Sequence, residues 1–96
     1  MEFIFFEEEP LQHPLQNKNI AFTGALSTMT RSEAARRVKV YNATLQGAVK
    51  TDTDFLVLGN KRRGVSTKQL QAEKYIALGY DIQIIYEDDF LWLLSQ

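Results

Sequence analysis

The chain contains no cysteine, a single histidine and two prolines among its 96 residues. Without cysteine there is no disulfide framework, no thiolate zinc site and no thiol nucleophile. His13, lying between Pro10 and Pro14, offers too few imidazoles for a histidine-based metal centre and reads as a solvated residue. No stretch approaches the roughly 18 apolar residues that a membrane-spanning helix needs. The N-terminal "MEFIFFEEEP" is apolar only briefly, is flanked by acids and lacks the basic start of a secretory signal. A cytoplasmic location is therefore expected, associated with the nucleoid if the source is bacterial. Also missing are the phosphate loop "GxxxxGK[ST]", a glycine-rich dinucleotide fingerprint and a nucleophile paired with a base. No enzymatic activity, cofactor, metal, membrane partner or small-molecule substrate is expected.

What is present is one domain's worth of chain with ordinary proportions, 45% hydrophobic and 24% charged, enough for a single modest core. The net charge of −1 conceals an uneven distribution. All eleven basic residues lie between Lys18 and Lys74, where only Glu33, Asp52, Asp54 and Glu73 oppose them, whereas each flank carries four acids and no base. A basic middle of this kind suits a polyanionic partner if folding gathers the cations on one face.

Residues 1–16 differ from the rest: "FIFF" followed by "EEEPLQHPLQ" predicts an acidic and apolar N-terminal arm, with the domain proper spanning 17–96. Phe3, Phe5 and Phe6 could pack on the domain, extend a sheet edge or dock a partner. "NIAF" reads as a buried strand that stops at Thr23-Gly24. Thr30 and Glu33 have capping-box spacing and open a helix with Ala34, Ala35, Val38 and Tyr41 on one face and Arg36, Arg37 and Lys39 outside. "ATLQGAV" predicts a short strand and loop, and "FLVLG" a second buried strand. The basic loop around Lys61, Arg62 and Arg63 leads to a second capping pair, Ser66 and Gln69. The helix it opens should bury Ala72, Tyr75 and Ile76 and stop at Gly79. "DIQII" is the last strand, and "YEDDFLWLLSQ" a final helix with Phe90, Leu93 and Leu94 inward. Glu87, Asp88 and Asp89 suit its dipole, which accounts for them without catalysis or a metal.

Strands alternating with helices predict an α/β fold with a parallel sheet covered on both faces. Right-handed crossovers then leave a crevice at the carboxyl ends of the central strands. Two helices would begin beside it with Arg31 and Lys68 in their first turns, where a cation is unfavourable by about 0.3–1 kcal/mol unless an anion is near. With Thr23 and Gly24 at the floor, the four residues form a candidate phosphate pocket. Lys61, Arg62 and Arg63, together with Arg36, Arg37 and Lys39, are candidate contacts to a DNA backbone.

The segments "NIAFTG", "TRSEA", "TDFLVLG", "STKQ" and "IIYEDDFLWLL", in that order and spacing, resemble the BRCT domain. The likeness is to the bacterial type found in NAD-dependent DNA ligases and in polymerase III epsilon-type exonucleases. The resemblance implies a four-stranded parallel sheet of order 2-1-3-4 flanked by three helices. It also implies phosphate binding by the hydroxyl residue and glycine after the first strand and by a lysine at the start of the second helix, here Thr23, Gly24 and Lys68. An arginine at the start of the first helix, here Arg31, is similar to that of members that bind 5′-phosphorylated duplex ends. The function so implied is that of a non-catalytic DNA-binding accessory module of replication or repair, recognising a 5′-phosphorylated or nicked duplex end. A protein interaction module, for a phosphopeptide or another replication or repair protein, is the alternative. One departure stands out: Asn42-Ala43 occupies the place where many members have two glycines.

Overall fold

The computed structural model describes residues 13–60 and 64–96. In chain order these form β1 (Asn19–Thr23), α1 (Arg31–Lys39), β2 (Thr44–Gln46), β3 (Phe55–Leu58), α2 (Thr67–Ala77), β4 (Gln83–Tyr86) and α3 (Glu87–Leu94). The strands make one parallel sheet in the order β2-β1-β3-β4, as predicted. Its register sets Ile20 opposite Phe55 and Thr23 opposite Leu58, with Leu58 in turn opposite Tyr86.

Because successive strand residues point to opposite faces, the near-continuous apolar runs of β1 and β3 supply two cores at once. Ile20, Phe22 and Val57 pack with Ala34 and Val38 of α1 and Phe90 of α3 on one face. Ala21, Leu56 and Leu58 pack with Ala72 of α2 on the other. The centre of the first core is an edge-to-face pair, Phe22 against Phe90, with ring centroids 5.1 Å apart, the geometry that aromatic quadrupoles favour.

The helix boundaries follow local chemistry. Thr30 Oγ1 accepts from the Glu33 amide at 3.1 Å, and Ser66 Oγ from the Gln69 amide, also at 3.1 Å, so both predicted N-caps form. At the end of α2, Gly79 adopts φ 103°. There the Tyr80 amide donates to Tyr75 O and the Gly79 amide to Ile76 O, the paired closure of a Schellman motif. The turn after α1 needs one left-handed residue, and Asn42 supplies it at φ 61°. Its side chain donates to Asn17 Oδ1 at 2.6 Å, while Ala43 is buried and needs no such conformation.

Several expectations are revised. Ile76, predicted inward, is 40% exposed, since α2 meets the sheet through Ala72 and Tyr75, a narrower stripe than the sequence suggests. In α3, Phe90 is fully buried, as predicted, while Trp92 is 63% exposed. His13 is half-buried, stacked on Tyr41 with centroids 3.5 Å apart, and its Nδ1 accepts from the Leu15 amide. Glu87 is buried completely, because loop amides at the sheet's carboxyl edge converge on its carboxylate. Leu15, within the segment assigned to the arm, is fully buried in the first core. Residues 1–12 lie outside the described residues, and with them Phe3, Phe5, Phe6 and the acidic run.

Candidate functional site

The carboxyl ends of β1 and β3 sit side by side at the middle of the sheet, and the two helices that follow them lie on opposite faces. That is the switch point at which open α/β sheets carry their crevice. β1 ends in Thr23, and Gly24 turns the chain at φ 79°, a left-handed conformation that favours glycine. Gly59 closes the other side. Its amide donates to Thr23 O, and a β-carbon there would stand 2.4 Å from Ala25 O, so at Gly59 the two loops meet backbone to backbone.

All four predicted pocket residues meet at this edge. Lys68 Nζ donates to Phe22 O at 2.8 Å, and Arg31 Nη2 donates to Gly24 O at 3.3 Å with its guanidinium 5.4 Å from the centre of the Phe22 ring. Burial lowers the Lys68 pKa from its ordinary value, and repulsion by Arg31 lowers it further. Among the described residues neither cation pairs with a carboxylate, the ion pair present being Arg37 with Glu33. The caps leave donors in place. At α1 the Thr30 side chain and carbonyl take the amides of Glu33 and Ala34. At α2 those of Ser66 take Gln69 and Leu70. The amides of Arg31, Ser32, Thr67 and Lys68 thus find no acceptor among the described residues, and they carry the positive ends of both dipoles.

Thr23 has an internal role that its sequence position did not disclose. It is 4% exposed and its hydroxyl donates to Ser66 Oγ at 2.6 Å. The same Ser66 oxygen caps α2, so Thr23 ties the end of β1 to the helix that bears Lys68. Of the candidate backbone contacts, Arg36, Arg37 and Lys39 are exposed on α1, with Arg37 engaged by Glu33 at 2.9 Å. Lys61, Arg62 and Arg63 lie outside the described residues.

Glu87 is the residue that sequence reading missed. Both of its carboxylate oxygens accept from the Ser27 amide at 3.0 Å. Oε2 also accepts from the Thr28 amide at 2.9 Å and the Thr28 hydroxyl at 2.6 Å, and Oε1 from the Asn60 amide at 2.9 Å. Burial pushes its pKa up. The Thr28 hydroxyl and the amides of Asn60, Ser27 and Thr28 outweigh that, bringing it from 4.5 to about 2, because donors aimed at a carboxylate favour its charged form. The only sequence signal was position: an acid at the start of α3, beside two more that are exposed. Since the folded pKa is depressed, the stability Glu87 contributes is complete above about 4.5 and lost as pH falls towards 2. Acid unfolding followed by circular dichroism should show this loss in that window, and Glu87→Gln should flatten that part of the curve.

Among the described residues no helix is long and apolar enough to cross a membrane, and no group of three or more His, Cys, Asp or Glu could hold a metal ion. The architecture is that of a doubly covered parallel α/β domain, with two helix N-termini at its switch point and two cations that have no acidic partner among the described residues. The chain belongs to the BRCA1 C Terminus (BRCT) domain family, whose model matches residues 10–83. A DNA ligase of Bradyrhizobium sp. is 33% identical over 90 residues, 93% of this chain and 12% of the ligase. One from Roseobacter denitrificans is 41% identical over 82 residues, covering 85% and 10%. Another, from Legionella pneumophila, is 38% identical over 85 residues, covering 88% and 11%. The chain thus spans about a tenth of the length of the curated relatives it matches.

Proposed function

We propose that this domain is a non-catalytic accessory module of DNA metabolism that binds a 5′-phosphorylated or nicked duplex end at the crevice between β1 and β3. The observation that carries the reading is the convergence of Arg31 and Lys68, which repel each other at two helix N-termini. A phosphate placed between them relieves that repulsion, accepts from the amides of both first turns and complements both dipoles. Gly24, with no side chain, leaves backbone room for the anion. Thr23 serves mainly by holding α2 in place through Ser66. The match to DNA ligases supports the setting, since a ligase joins a 5′-phosphate to its neighbour. Lys61, Arg62 and Arg63 then follow the flanking backbone.

The test is a fluorescence anisotropy titration against two recessed duplexes that differ only in a 5′-phosphate or 5′-hydroxyl, at several salt concentrations. Tighter binding of the phosphorylated end is expected, together with a log–log salt slope of about −0.9 for every phosphate neutralised, hence about −3 to −5 if the basic loop takes part. Equal binding of the two ends refutes the pocket. A slope near zero refutes the backbone contacts, and binding of a phosphoserine peptide in place of either duplex transfers the pocket to a protein ligand.

A further inference from the structure

Glu87 belongs to α3, the helix farthest along the chain from the pocket, yet its carboxylate holds the loops that leave both central strands. Ser27 and Thr28 lie in the loop running from Gly24 to Arg31, and Asn60 follows Gly59 at the end of β3. A further bond, from Asn60 Nδ2 to Ser27 Oγ at 3.3 Å, joins the same two loops. The Gly24–Thr30 segment is therefore held between a backbone contact at Gly59 and a buried anion at Glu87. No cation pairs with that anion among the described residues, so backbone amides, the Thr28 hydroxyl and, at longer range, the Ser27 hydroxyl neutralise it, and those donors work only while both loops stay in place.

We propose that Glu87 is the positioning residue of this site: by binding the two loops at once it sets where Gly24 and Arg31 stand relative to α2 and Lys68. The reading of the site as a phosphate pocket is assumed only for the functional half of this proposal. A negative charge in this place also explains why an acid is fully buried in a helix start where its neighbours Asp88 and Asp89 are exposed. Those two answer the helix dipole, whereas Glu87 answers the loops.

Glu87→Gln preserves shape but replaces one accepting oxygen with an amide that cannot accept. In the intact chain, amide hydrogen exchange at Ser27, Thr28 and Asn60 is expected to accelerate about tenfold relative to Phe22 and Leu56, with the resonances of Gly24 and the Arg31 side chain displaced. The ratio of affinities for phosphorylated and hydroxyl duplex ends should fall by a similar factor, about tenfold. Exchange that rises in one loop alone, or equally throughout the sheet, overturns the proposal, as does an unchanged affinity ratio once the loops have loosened. If Glu87→Gln does not fold, Thr28→Val removes the shortest bond and keeps the charge. It should give the same pattern at smaller amplitude, and exchange confined to residue 28 overturns the proposal. Should the wild-type domain bind both ends equally, the phosphate reading fails. The resonances of Gly24 and Arg31 then decide the clamp by themselves: moving with Ser27, Thr28 and Asn60 supports it, and staying still overturns it.

Discussion

Lys68→Glu is expected to erase discrimination between phosphorylated and hydroxyl duplex ends while leaving the domain at least as stable as before. In the folded state the Lys68 charge is disfavoured, by burial first and by Arg31 second. A lysine whose pKa is lowered on folding weakens the fold below that pKa, and stability recovers as pH rises towards the lysine's ordinary value of 10.5. A glutamate at the same place faces Arg31 with opposite charge and sits in the first turn of α2, where negative charge contributes about 0.3–1 kcal/mol. Thermal unfolding should show a midpoint unchanged or raised, in the same preparation whose anisotropy titration has lost the phosphate preference. Such a pairing of higher stability with lost binding marks a residue retained for its ligand. A clear fall in the midpoint would instead make the bond from Nζ to Phe22 O the reason for the lysine, and an intact preference would move the phosphate elsewhere.

Gly59→Ala should destabilise the domain strongly. The new carbon would lie 2.4 Å from Ala25 O, 2.8 Å from Ala25 C and 3.2 Å from Gly24 C. All three are backbone atoms, so relief requires moving the loop away from β3. Overpacking of this kind costs about 3 kcal/mol or more, which for a domain of this size corresponds to a drop of about 15 °C in the unfolding midpoint. Phosphate discrimination should fail with it, because the displaced segment is the one that carries Gly24. Gly47→Ala is the control. Nothing stands within 4 Å of a β-carbon there, and the midpoint should stay within about 2 °C, as for a surface change outside any special contact. Equal responses of the two variants would show that the loop yields freely and that its approach to Gly59 carries no strain.

Much of the architecture was legible because it is decided locally. The spacing of Thr30 with Glu33 and of Ser66 with Gln69 located two helix starts, Gly79 one helix end, and the apolar runs around Ile20 and Leu56 the two central strands. Alternation of element types, with right-handed crossovers, then leaves little choice of sheet order. Arg31 and Lys68 could be singled out as candidates from the sequence, since a cation in the first turn of a helix is an electrostatic anomaly visible without coordinates. Glu87 could not, because an acid at a helix start is already accounted for by the dipole. Nothing in the chain announces that donors 27 residues and 60 residues away converge on it.

The sequence by itself determined the parallel α/β class, the caps, the basic middle of the chain and the placement of Arg31 and Lys68 against their helix dipoles, all matters of near-neighbour chemistry and periodicity. Only the tertiary structure decided which polar groups are satisfied by distant partners. It made Thr23 a tie to Ser66, stacked His13 on Tyr41, set the Gly59 backbone against Ala25, left Trp92 at the surface and buried Glu87 among loop amides. The physical reason is that a hydrogen bond or a close contact depends on distances of a few ångströms between atoms far apart in the chain. Packing both faces of the sheet sets those distances, and no local pattern encodes them.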